Sequence, residues 1–153
     1  MNDNFDDGHE RKQAAVDNNT PAMLRIWRTV PPNRMSTAER ALIADCVSGV
    51  SATSNDWRRA LGGDAASAIY LALRMDTPAK LTWRVDLVMT VLSHVAFEDE
   101  TAALVMAHRL NAMPIEPELR AELATSWLLY GVQLGSRRNA GASRRRTNRK
   151  RGA

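Results

Sequence analysis

The chain has 153 residues, 44% of them hydrophobic, and a formal net charge of +4, which suits one domain with a buried core. It has no run of about 18 apolar residues, so no transmembrane helix is expected. Met1 to Gly8 is polar and acidic, unlike a secretory leader, and the single Cys46 leaves no internal disulfide, so the cytoplasm is the expected compartment.

Residues 1–19 hold five acids against two cations and few apolar anchors. They are expected to be a disordered acidic segment. Thr20-Pro21 then reads as a helix start, with threonine as N-cap and proline in the first turn. Met23, Ile26, Trp27 and Val30 follow at helical spacing until Pro31-Pro32 stops the element.

Ser36-Thr37-Ala38-Glu39 has capping-box spacing, in which serine accepts from the amide of Glu39 and the carboxylate reaches back. Leu42, Ile43, Cys46, Val47 and Val50 line one face of the helix it opens. Gly49 and Ser51-Ala52-Thr53-Ser54-Asn55 mark the exit. Trp57, Ala60 and Leu61 form a further short helix before Gly62-Gly63. Asp64 caps the next, with Ala65, Ala68, Ile69, Ala72 and Met75 as its stripe.

Thr77-Pro78 repeats the Thr-Pro start signal. From there to Phe97, Leu81, Val85, Val88, Leu92 and Val95 recur in steps of three and four. The same stretch alternates through Val85, Leu87, Met89 and Val91, a strand-like pattern rich in valine. Its length of ~15 residues favours a helix, apolar over most of its circumference and therefore central. Glu98-Asp99-Glu100 suits the N-terminal end of a following helix, which reaches about Asn111 with Ala103, Met106 and Leu110 inward. After Pro114 and Pro117, the stripe Leu119, Leu123, Trp127, Tyr130 and Leu134 defines a last helix, closed by Gly135.

Residues 136–153 carry Arg137, Arg138, Arg144, Arg145, Arg146, Arg149, Lys150 and Arg151 and no acid. With no large apolar residue, this tail is expected to be disordered. The body, residues 20–135, is close to neutral with 11 cations and 12 acids. The high pI is thus a property of the tail. The fold class expected is all-α: a compact bundle of about five or six short-to-medium helices over 20–135, between a disordered acidic N-terminus and a disordered arginine-rich C-terminus.

The folded part shows no catalytic, cofactor or metal constellation. His9, His94 and His108 lack ligand spacing, and His94 and His108 read as ordinary helix residues. Cys46 lies in an apolar stripe without a neighbouring base, as a small core residue does. Gly62-Gly63 precedes Asp64 rather than Lys-Ser/Thr, so it separates two helices and cradles no phosphate. Thr37 to Leu61 invites a helix-turn-helix reading in which Asn55, Arg58 and Arg59 reach DNA. The link from Gly49 to Asn55 is long for such a turn, and a plain pair of helices fits better. Trp83 and Trp127 sit on amphipathic helices and are expected to pack inside.

Arginine supplies seven of the tail's eight cations, and its planar fork grips phosphate in a bidentate way. The tail therefore points to DNA or RNA as partner, through the backbone and without sequence preference. The expected function is that of a non-enzymatic nucleic-acid-associated protein whose helical body serves assembly or partner contact. The alternative is a helical interaction or regulatory module, binding a protein partner or a second copy of itself, with the tail secondary.

Overall fold

A computed structural model describes residues 20–151, and all of their regular structure is helical. A 3-10 helix, Ala22–Arg28, precedes six α-helices: α1 Thr37–Ser48, α2 Asn55–Leu61, α3 Ala65–Arg74, α4 Trp83–Ala96, α5 Glu100–Leu110 and α6 Pro117–Arg151. The acidic segment 1–19, with His9, lies outside the described residues.

The first element is tighter than an α-helix. Pro21 takes the cap position with no side-chain cap, and the Leu24 amide donates to the Pro21 carbonyl at 3.0 Å, a three-residue turn. Thr20 is therefore not the cap. Nine residues between Pro21 and Pro31 are too few for stable α-helix propagation, and a period of three puts Leu24 and Trp27 on one side. Those two are buried, whereas Met23 is exposed.

The capping box of α1 forms with both arms, Ser36 Oγ accepting from the Glu39 amide and the Glu39 carboxylate accepting from the Ser36 amide at 2.7 Å. α1 is an edge helix. It buries Ile43 and Val47 against the 3-10 helix and α4, and its Leu42 remains exposed. Ser54 caps α2, and Asp64 caps α3 by accepting from the Ser67 amide at 3.0 Å. Ala60, Ala68 and Ala72 are buried, small enough for α2 and α3 to pack closely on each other.

α4 is the centre of the bundle. It is a helix throughout, and 11 of its 14 residues are buried, from Val85 to Ala96 with His94 the exception in that run. α1, α3, α5 and the 3-10 helix all pack on it. It begins at Trp83 behind the cap Thr82, not at Thr77-Pro78. Its buried run starts only at Val85, so nothing rewards helix formation a turn and a half earlier. The preceding loop is instead tied down by Arg109, whose guanidinium donates to the carbonyls of Met75 at 2.8 Å and Asp76 at 3.4 Å.

Two polar devices lock the centre. Trp27 Nε1 donates to Asp86 Oδ1 at 3.0 Å, Arg28 reaches Oδ2 at 3.3 Å, and Thr90 Oγ1 donates to the Leu24 carbonyl at 3.1 Å. Asp86 is 1% exposed, so this hydrogen-bonded pairing is what makes a carboxylate tolerable inside an apolar helix. At the far end of α4, Phe97, Trp127 and Tyr130 cluster with centroids 5.1–5.8 Å apart, Tyr130 meeting the other two rings edge to face and Phe97 tilted against Trp127. The Arg40 guanidinium lies 4.1 Å over Phe97.

α6 packs along α5. Asp99 caps α5 by accepting from the Ala102 amide, and the Glu116 carboxylate accepts from the amides of Leu119 and Glu118 at the start of α6. Leu123, Ala124 and Trp127 are buried, Tyr130 is half-buried, and its hydroxyl donates to the Phe97 carbonyl at 2.9 Å. α6 does not close at Gly135. It runs on to Arg151, 35 residues in all, so the backbone expected to be irregular after Gly135 is helical. Gly135 has no positive φ, and among the described residues only Gly63 does. Gly131 and Gly135 instead make a notch in which the N-terminal turn of α5 sits: a Cβ at Gly131 would lie 3.2 Å from Ala103 Cβ, and one at Gly135 would overlap the Glu100 carboxylate. A glycine that permits close approach looks in sequence like a glycine that stops a helix.

Candidate nucleic-acid interface

The distal part of α6 leaves the body. Residues 136–143 are all exposed, including Arg137 and Arg138, and Arg145 is exposed beyond them. The backbone of Arg144, Arg146, Arg149, Lys150 and Arg151 continues the same helix. The residues favour this geometry only weakly. Arginine and alanine are good helix formers, but Gly141, Ser143 and like-charged neighbours oppose them. The element that sequence reading treated as a separate tail is therefore continuous with the last packed helix, and it carries the same eight cations without an acid.

The second group of expected contacts is elsewhere. Asn55, Arg58 and Arg59 are exposed on α2. Arg58 donates to Asn55 Oδ1 at 3.3 Å, and Arg59 lies 3.5 Å from the Asp64 carboxylate. α1 packs chiefly on the 3-10 helix and α4, and α2 chiefly on α3. The two are thus not a helix-turn-helix pair resting on each other, as the long link between them foretells.

One groove of about 660 Å³ opens between α2, α3 and the start of α4. Trp57, Leu71, Val85 and Val88 contribute to its apolar lining, and Arg74, Lys80 and Arg84 line it together with Asp56 and Asp76. Arg74 is partly spoken for, donating to Tyr70 Oη at 2.7 Å. The mixed charges give the groove no commitment to an anion. Trp83, expected inside, is 63% exposed at the first turn of α4, ahead of the buried run.

The perturbed ionisable groups are structural. The Ser36 amide, then the Ser36 hydroxyl, hold Glu39 below its usual value. The Ser67 hydroxyl and amide do the same for Asp64, with Arg59 adding a smaller attraction. The amides of Leu119 and Glu118 lower Glu116. Burial raises the thiol of Cys46, away from nucleophilic character. Among the described residues, no three His, Cys, Asp or Glu side chains are grouped to hold a metal, and no helix is long and apolar enough to cross a membrane.

Sequence reading missed Asp86, Arg109 and the notch glycines. Asp86 had one signal: an acid within an otherwise apolar run needs a buried partner, and Trp27 and Arg28 are the only adjacent pair of donors in the short first element. Arg109 had none, because its partners are backbone carbonyls more than 30 residues away. Comparison with known protein families, with curated proteins and with solved structures finds no match.

Proposed function

We propose that this is a non-enzymatic nucleic-acid-associated protein in which the helical body serves assembly or partner contact and the C-terminal extension grips the phosphate backbone. One observation carries the reading: eight cations and no acid in residues 136–153, all eight borne on a helical extension that leaves the packed body. Seven of the eight are arginines, each with a fork matched to phosphate oxygens. The body is near neutral and adds little attraction of its own, so binding should be weak in sequence preference and steep in salt.

The test is a titration of labelled duplex and single-stranded DNA and RNA at several salt concentrations, with the full chain and with a chain ending at Gly135. If all eight cations engage a duplex, the logarithmic salt slope reaches about −7; partial engagement gives a shallower one. Removal of 136–153 should cost at least about tenfold in affinity at moderate salt. Equal binding by the truncated chain would move attention to Asn55, Arg58 and Arg59 on α2. No binding by either form would favour the helical interaction module instead.

A further inference from the structure

The face of α6 turned away from α5 is neither a solvated polar face nor a buried one. Leu128, Leu129 and Val132 are 48%, 57% and 53% exposed on it. Ala121, Thr125 and Ser136 continue the exposed strip in steps of three and four, and the partly exposed Leu104 of α5 flanks it, close to Gly131. Around these apolar residues the charges of α6 are unevenly distributed. Glu116, Glu118 and Glu122 stand at its start with one cation, Arg120, whose guanidinium donates to the Met113 carbonyl at 3.2 Å; residues 123–136 carry no charge, and from Arg137 onward every charge is positive. Such an order, net acid then apolar then base, is complementary to its own reverse.

We infer that this outer face pairs with the same face of a second copy, α6 against α6, antiparallel about a two-fold axis through the Leu128–Val132 stretch. The exposed apolar residues then cover one another at the axis, and the acids that open one α6 lie beside the first cations of the other. A parallel pairing would instead set eight cations against eight. Glu122 already touches Arg34, but that pair is 61% and 49% exposed and weak enough to yield. The pairing also accounts for a helix that continues beyond its own body. An extension containing Gly141, Ser143 and adjacent arginines has little helical stability in isolation, and the start of a partner's α6 gives it a surface and opposite charge.

With Thr125 opposite Ser136 of the second copy, Arg144 faces the partner's Pro117. Arg145, Arg146, Arg149, Lys150 and Arg151 of each chain then extend past the partner helix. The inference does not rest on the nucleic-acid reading, yet it leaves most of the cations free for it at two opposite ends of one particle.

Sedimentation of the full chain over a range of concentrations tests the pairing. A reversible dimer is expected. Leu128→Asp with Val132→Asp should raise its dissociation constant by about a hundredfold or more, since both carboxylates would be desolvated beside the axis. Both positions are exposed, so the far-UV spectrum at high dilution should be that of the unsubstituted protein. Orientation is read separately in a Cys46→Ser background. Thr125→Cys and Ser136→Cys should be joined by a short bis-maleimide only when the two variants are mixed, because like positions would lie about 16 Å apart along the axis. A monomer at every concentration, a dimer indifferent to the two aspartates, or linkage of either cysteine variant to itself would each overturn the inference. A dimer that binds no nucleic acid would leave it standing and remove the preceding proposal.

Discussion

α4 and the distal half of α6 are both helices, and they are helices for opposite reasons. α4 is made of residues that dislike the conformation: its four valines and Thr90 lose side-chain freedom in a helix and favour strands. It forms because 11 of 14 side chains are buried by four surrounding elements, with Thr82 capping its start. The distal half of α6 has arginines and alanines, and its residues 136–143 are all exposed. The body thus takes its helices from tertiary burial, and the extension relies on propensity and on whatever it meets. Stability and binding should accordingly separate: substitutions in the first region unfold the protein, and substitutions in the second alter what it holds.

The strongest test of that separation is Trp127→Ala, which should cost about 3–5 kcal/mol in chemical denaturation, with Leu92→Ala at about 2–5 kcal/mol. Both side chains are fully buried. A change within ~0.5 kcal/mol, the range of a surface substitution, would show that α4 and α6 are not the core. Asp86→Ala should cost roughly 3 kcal/mol, because it strands the Trp27 N–H and the Arg28 guanidinium in a buried setting.

The notch offers a sharper contrast within one helix. Gly131→Ala should destabilise by about 1 kcal/mol, since Ala103 Cβ and the Glu100 carbonyl have little room to yield. Gly135→Ala meets only the end of the Glu100 side chain, which can swing aside, and should stabilise by up to about 1 kcal/mol through helix propensity. Melting curves of the two variants should therefore move in opposite directions.

Ser36→Ala should cost about 1 kcal/mol by opening the capping box of α1. Acid should act on the same kind of contact. Glu39, Asp64 and Glu116 have folded values below their ordinary ones, so the stability they lend is present above about pH 4–5 and is lost as pH falls through the lowered values. A melting temperature that rises on acidification through that window would contradict the three caps. The smallest expected effect is Arg138→Ala, within about 0.5 kcal/mol on stability, measured at a concentration where the chain is monomeric.

Much of the body was legible because its signals are local. Caps at Ser36, Asp64 and Asp99 lie within three residues of the amides they serve, and a stripe such as Leu123, Trp127 and Tyr130 reports its buried face through period alone. The errors arose where a partner decides. Leu42 fits its stripe but is left about half exposed, and Trp83 fits an amphipathic helix but precedes the part that is covered. Thr77 and Thr82 are both credible caps, and the choice between them depends on where Val85 begins to be buried. Gly135 was read as a stop because sequence shows that a glycine is present and not which helix lies against it. For the candidate interface, the cationic composition was plain from the residues, but its continuity with α6 was not.

That continuity has an electrostatic consequence. From Arg137 to Arg151 the helix advances about 21 Å at its rise of about 1.5 Å per residue, and it carries eight cations over that distance. The line charge is one per roughly 2.6 Å, of the same order as the one phosphate per ~1.7 Å along a duplex. An extended chain would spread the same charges more thinly, so winding them into a helix concentrates repulsion along a rod. Helical content in residues 137–151 should thus respond to whatever neutralises the rod: it should rise with screening salt or a bound polyanion and fall in low-salt buffer. Circular dichroism of the full chain against the chain ending at Gly135, followed across ionic strength, isolates that signal.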